Sequence, residues 1–268
     1  MSIADVDAAA GRPLSATGRF AASLRGLAWR HPEWWALGLA AAAWGVLLAA
    51  NLPPAGAAGA HGHGHGHGHP QDLPAATGGF ALVTATAHWQ LMVVAMMLPV
   101  VVPSLRVAAF RSYWRRRHRA IAGFLAGYLG VWALAGLAVC LLLAAAPGLT
   151  RGWPAAAVAG AFLLAAGWQW TGVKRRALVT CHRTAPLAPG GWRADRDCVV
   201  FGWRIGGSCC LSCWPLMLAC TLAGHSSLAL LACGWIGWVE RYSWRPNARL
   251  LSAAMMALAV VFAWLERS

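Results

Sequence analysis

Charged residues are scarce in this chain, at 11% of 268 positions, and only 8 of them are Asp or Glu. Disorder in water depends on high charge and low hydrophobicity, so this scarcity excludes a disordered chain. With 59% hydrophobic residues, it also argues against a soluble enzyme. There is no Walker loop, no dinucleotide-type glycine pattern and no nucleophile elbow, so ATP-driven transport and the common hydrolase chemistries have no support and no bound nucleotide is expected. No cleavable signal peptide is expected, because Met1–Ala10 carries Asp5 and Asp7 and no early basic segment. The first apolar helix is therefore expected to stay as an anchor.

What the chain does have is long apolar runs. A bilayer core about 30 Å thick takes roughly 20 helical residues, and seven stretches approach that length: 34–52, 81–103, 121–146, 155–173, 198–222, 227–240 and 248–265. The sixth is short, and the fifth carries Arg204 near its start. The expected fold is an all-α polytopic bundle of six or seven spans with a cytoplasmic N-terminus. The organisation expected is a basic cytoplasmic segment over 1–33, a first transmembrane helix over 34–52, an outer His/Gly-rich loop over 53–80 and a metal-binding bundle over 81–268.

The net charge of +14 would suggest nucleic acid in a soluble protein, but its placement argues otherwise. With the N-terminus inside, twenty of the 22 Lys and Arg residues fall in inside loops, leaving Arg151 and Arg267 outside. That is a positive-inside pattern and implies the inner membrane of a bacterium, with lipid as partner and no nucleic acid. Arg115, Arg116 and Arg117 are placed to touch anionic headgroups. Trp34, Trp35, Trp89, Trp153, Trp192 and Trp244 lie near expected span ends, where indoles favour the headgroup region.

Three groups of residues have metal-ligand character. In the outer loop His61, His63, His65, His67 and His69 alternate with glycine, so several imidazoles can gather round one borderline ion in many registers, with Cu(II), Ni(II) or Zn(II) as candidates. An inert low-complexity linker is the competing reading. On the second span, His88, Met92 and Met96 are spaced i, i+4, i+8 and share one helical stripe. An imidazole with two thioethers is a soft set suited to Cu(I), and Pro99 removes the bond to the carbonyl of Ala95 beside it. The bland alternative is methionine as a packing residue.

The third group is on the fifth span. With Cys209 at zero and about 100° per residue, Cys213 falls at about 40°, Met217 at about 80° and Cys220 at about 20°, with Cys210 bordering the stripe at about 100°. Such a ladder suits a thiophilic ion better than a closed zinc site, which draws paired ligands from two segments. Cysteines placed for helix packing and a Cys209–Cys213 disulfide are the alternatives. Cys140, Cys181, Cys198 and Cys233 show no partner spacing. Glu240 and Arg204 sit near cytoplasmic span edges, where structural anchoring is expected and pairing or a part in proton coupling stays open.

The run from His88 through Pro99, the basic Lys174-Arg175-Arg176 with Cys181 after it, and Cys209…Cys213-Trp214-Pro215-Leu216-Met217 resemble the prokaryotic DUF2182 family of metal-binding, copper-chaperone-like membrane proteins. The likeness covers roughly residues 80–265. Ser212 and Ala177 stand where that family often has cysteine, which points to mixed Cys/Met/His ligation. The resemblance implies copper handling. The leading expectation is a membrane protein with no enzymatic step that collects copper with the outer loop, which lies outside the likeness, holds or relays it as Cu(I) in the bundle, and passes it to a periplasmic copper protein, to a membrane copper enzyme or across the membrane. Two other classes stay open, an accessory subunit of a larger membrane enzyme and an intramembrane thiol redox protein.

Overall fold

The structure is a computed structural model that describes residues 30–51, 79–146, 154–243 and 247–265. Among the described residues there are eight α-helices and no strand: α1 (Trp34–Ala50), α2 (Gly79–Phe110), α3 (Arg117–Ala145), α4 (Pro154–Trp168), α5 (Gly172–Cys181), α6 (Gly191–Leu222), α7 (Ser227–Tyr242) and α8 (Ala248–Leu265). A single 3-10 turn at Trp114–Arg116 leads into α3.

Four helical stretches are long and apolar enough to cross a bilayer: Ala81–Phe110, Trp114–Ala145, Gly191–Leu222 and Ala248–Leu265. The expected span over 155–173 is instead a pair of helices, α4 and α5, bent by 74° at a short break, and counting that pair makes five. The break lies at Thr171, whose extended backbone ends one helix while its side chain accepts from the N–H of Lys174 to cap the next. The expected spans over 34–52 and 227–240 form helices of 17 and 16 residues. Both are shorter than a straight crossing takes.

The helix α2 lies between α1, α3 and α7, while α6 packs against α3, α4, α5 and α7. Ala36, Ala40, Ala43 and Leu47 recur at helical spacing and form the buried stripe of α1, small enough to let it lie close on α2. Glycines bring α3 and α6 closer still. A Cβ on Gly127 would collide with the backbone of Val199, and one on Gly202 with the backbone of Phe124. Gly123 with Gly127 and Gly202 with Gly206 form two small-xxx-small pairs on facing helices. Trp89, expected at the interface, is instead 2% exposed; its indole donates to the carbonyl of Trp132 at 3.0 Å, and its ring covers Gly136.

The prolines create acceptors that other helices fill. Pro103 has no N–H, so the carbonyl of Pro99 loses its helical partner, and the hydroxyl of Tyr242 donates to it at 3.0 Å. Pro215 likewise frees the carbonyl of Leu211, which takes the indole N–H of Trp168 at 3.1 Å. Each neutral bond of this kind contributes about 1 kcal/mol, and leaving the carbonyl unpaired in an apolar bundle would cost more.

At one end of the bundle the basic segments meet. Arg106 pairs with Glu33 at 2.7 Å, Arg111 donates to the carbonyl of Ala185 at 2.9 Å, and Arg116 and Arg119 both pair with Asp195. At the opposite end the amide of Asn51, just after α1, donates to the carbonyl of His225 at 3.3 Å.

Candidate metal centre

Cys209 and Cys213 stand one turn apart near the middle of α6, and both are buried. Both line one small cavity. The hydroxyl of Tyr128, from α3, donates to the sulfur of Cys209 at 3.2 Å. The glycine-mediated approach of α3 to α6 makes that contact possible, since Gly206 lies against the backbone of Tyr128. Ser212 donates to the carbonyl of Cys209 at 2.9 Å and sits 3.4 Å from the sulfur of Cys213. A third sulfur completes the group: Met97 of α2, with its Sδ 4.0 Å from the Sγ of Cys209.

Of the α2 residues, the one whose sulfur lies 4.0 Å from the Cys209 thiol is Met97. Met96 lies beside Gly234 of α7, near Trp44 of α1; Met97, one position on, turns toward the thiols. The reason is that α2 is buried around most of its circumference: Met92, Val93, Ala95, Met96, Met97 and Leu98 are all buried. A helix apolar all round offers no periodic cue to which neighbour each face meets. The α6 stripe also divides. Cys220 is not beside Cys209 but at the far end of α6, where its thiol donates to the carbonyl of Ala229 of α7 at 3.6 Å, on the helix that also carries buried Cys233. Met217 is fully buried between the two groups, and Cys210 is half-buried at the edge.

Below the thiol pair a small cavity of about 20 Å³ is lined by Cys181, Cys209, Ser212 and Cys213 together with Glu240 and Arg241. That is room for about one water-sized particle. Cys181, which has no partner in sequence, is brought there by α5. Glu240 does not pair with Arg204, which is exposed. Its Oε1 is held by the ammonium of Lys174 at 2.7 Å and by the amide of Gln169. Lys174, expected in a solvated inside loop, is therefore buried at 2% exposure. The guanidinium of Arg241 donates to the carbonyl of Val100 at 3.2 Å and to Ser104 at 3.3 Å. Glu240 Oε2 and Arg241 Nη1 are buried without a hydrogen-bond partner.

His88 is exposed on α2 and meets a residue that sequence reasoning missed. Its ring lies 4.7 Å, centre to centre, from that of His225 in the turn between α6 and α7. Burial, and then the neighbouring His88, push the imidazole of His225 down to about 4, so it is neutral at pH 7. His61, His63, His65, His67 and His69 lie outside the described residues, as do Trp153 and Trp244.

Among the described residues no three or more His, Cys, Asp or Glu side chains are grouped to hold a metal ion. The side chains gathered at the centre are two thiols and a thioether, a set of soft sulfur groups. No curated protein and no solved structure matches the chain. Residues 86–265, which contain this whole centre, match the family described as PpoB2, copper chaperone, and the chain belongs to that family.

Proposed function

We propose that the protein is a membrane-embedded copper chaperone that holds Cu(I) between Cys209, Cys213 and Met97 and passes it to a partner protein or across the membrane. The observation that supports this reading is the gathering of Cys209 and Cys213 on one cavity midway along α6 with the sulfur of Met97, from α2, 4.0 Å from that of Cys209. With metal–sulfur distances of about 2.3 Å, sulfurs around a trigonal ion stand about 4 Å apart, which matches the 4.0 Å between Cys209 and Met97. Met92 and Met96 then serve packing, and His61, His63, His65, His67 and His69 serve as the outer capture segment. The N-terminus and the basic loops lie in the cytoplasm in this reading, and the membrane is a bacterial inner membrane.

Charge accounts for the polar neighbours. Cu(I) with two thiolates carries a net charge of −1, which is costly in a low dielectric without a counter-ion. The Lys174–Glu240 pair cancels internally, and Arg241, on the same cavity, supplies the single positive charge required. Tyr128 orients the Cys209 sulfur and donates to its lone pair, the supporting role that groups outside the ligand set play in metal sites.

The test is Cu(I) titration of the full chain in detergent, under reductant and against a competing chelator. One Cu(I) binds to the wild type; Cys209→Ala and Cys213→Ala each abolish it, Met97→Leu weakens it and Met96→Leu leaves it unchanged. Stoichiometric Cu(I) in the Cys209→Ala/Cys213→Ala double variant would overturn the assignment.

A further inference from the structure

We infer that His88 and His225 form a second metal site, a two-imidazole port for one borderline divalent cation of the Cu(II) class, at the end of the bundle opposite the basic loops. Residues from two chain segments build it. His88 lies on α2, nine residues after its start, and His225 lies in the turn after α6, with ring centres 4.7 Å apart at a tilt of 53°. Two imidazole nitrogens on one ion at about 2.0–2.1 Å stand roughly 3 Å from each other. Rings centred 4.7 Å apart meet that separation by rotation of the exposed His88.

Three further features fit a ligand site. The Nε2 of His225 is buried and has no hydrogen-bond partner, although buried polar atoms nearly always find one. His225 also holds φ at 56°, in the left-handed region, the sole non-glycine residue to do so among the described residues. Strain of this kind persists where surrounding bonds over-determine the backbone. Here the N–H of His225 donates to the carbonyl of Cys220 at 3.0 Å, and its own carbonyl accepts from Asn51 at 3.3 Å. The same end also carries Asn51 and the start of α2, between which the chain runs through the five-histidine stretch. The port is separate from the sulfur centre, and it stands whether or not that centre binds Cu(I).

The test uses Cu(II) as the probe. In the full-length chain, His61, His63, His65, His67 and His69 are replaced together by Ala, which keeps the connection length, and Cu(II) binding is followed by titration and by the nitrogen hyperfine pattern in EPR. One Cu(II) with two nitrogen ligands is expected to remain. Adding His225→Asn, which tolerates the left-handed backbone, or His88→Ala, lowers its affinity by roughly tenfold or more, the scale on which metal sites lose affinity even when a supporting group is removed. An unchanged cooperative thermal transition of those variants in detergent reports that the bundle is still folded. No residual Cu(II) in the five-alanine chain, or binding indifferent to both His88→Ala and His225→Asn, overturns the port. Loss of Cu(I) loading in the wild type would count against the sulfur centre alone.

Discussion

The hydroxyl of Tyr128 donates to the sulfur of Cys209 across 3.2 Å, from a helix that is neither α2 nor α6. This bond ties the thiol to the packing of α3 against α6, because Tyr128 sits one residue past Gly127, where the two backbones touch. The position of the Cys209 thiol thus rests on glycine contacts between α3 and α6 and on a phenol that holds its sulfur.

Tyr128→Phe removes that donor and keeps the ring. Loss of the bond costs about 1 kcal/mol of stability, and Cu(I) affinity falls by roughly tenfold with unchanged stoichiometry. Chelator competition and thermal denaturation in detergent measure the two effects separately.

Gly127→Ala and Gly202→Ala each push a methyl into the facing backbone, which cannot step aside as a side chain can. Each is expected to destabilise by about 2 kcal/mol or more, within the range of overpacking effects. Gly207→Ala, with nothing within 4 Å, is the control and leaves the melting temperature unchanged or slightly raised. Equal effects at all three positions would refute the close-approach argument.

Lys174→Met leaves Glu240 as an uncompensated buried charge, and Glu240→Gln does the same to Lys174. Breaking one side of such a pair costs roughly 3–5 kcal/mol. The double variant Lys174→Met/Glu240→Gln recovers much of that loss, because no charge is left without its partner. A double-mutant cycle by thermal or denaturant unfolding measures the coupling.

The pH dependence near His225 has a definite sign. Its folded value of about 4 lies below the ordinary 6.5, so between these values the unfolded chain binds the proton and the folded chain does not. The full contribution is present above pH 6.5 and is lost as pH falls toward 4, by on the order of 3 kcal/mol. His225→Asn is expected to flatten the stability profile in that window relative to wild type. Parallel profiles for the two chains would show that the imidazole is not desolvated in the folded state.

Arg241→Gln keeps a hydrogen-bonding side chain against Val100 and Ser104 but removes the counter-charge beside the thiols. Cu(I) affinity is expected to drop by roughly tenfold or more, and the loss should be smaller for Arg241→Lys. A thiol count by alkylation of the unfolded chain confirms that the cysteines remain reduced in both variants.

By itself the sequence determined the helical class, the apolar stretches, the sulfur-bearing face of α6 and the like charge of the segments that meet at one end. Each of these follows from composition or from the 3.6-residue period, which reports which side chains share a face of their own helix. Facing partners belong to tertiary packing. Met97 near Cys209, Tyr128 on Cys209, Cys181 at the cavity, Cys220 on Ala229, Lys174 on Glu240 and His225 against His88 all join residues from separate helices. A helix buried on nearly every side, as α2 is, carries no pattern that says which neighbour each side meets. The glycine pairs at 123/127 and 202/206 are visible as spacings in the chain, yet only the packed backbones reveal that they face each other and bring the phenol to the thiol.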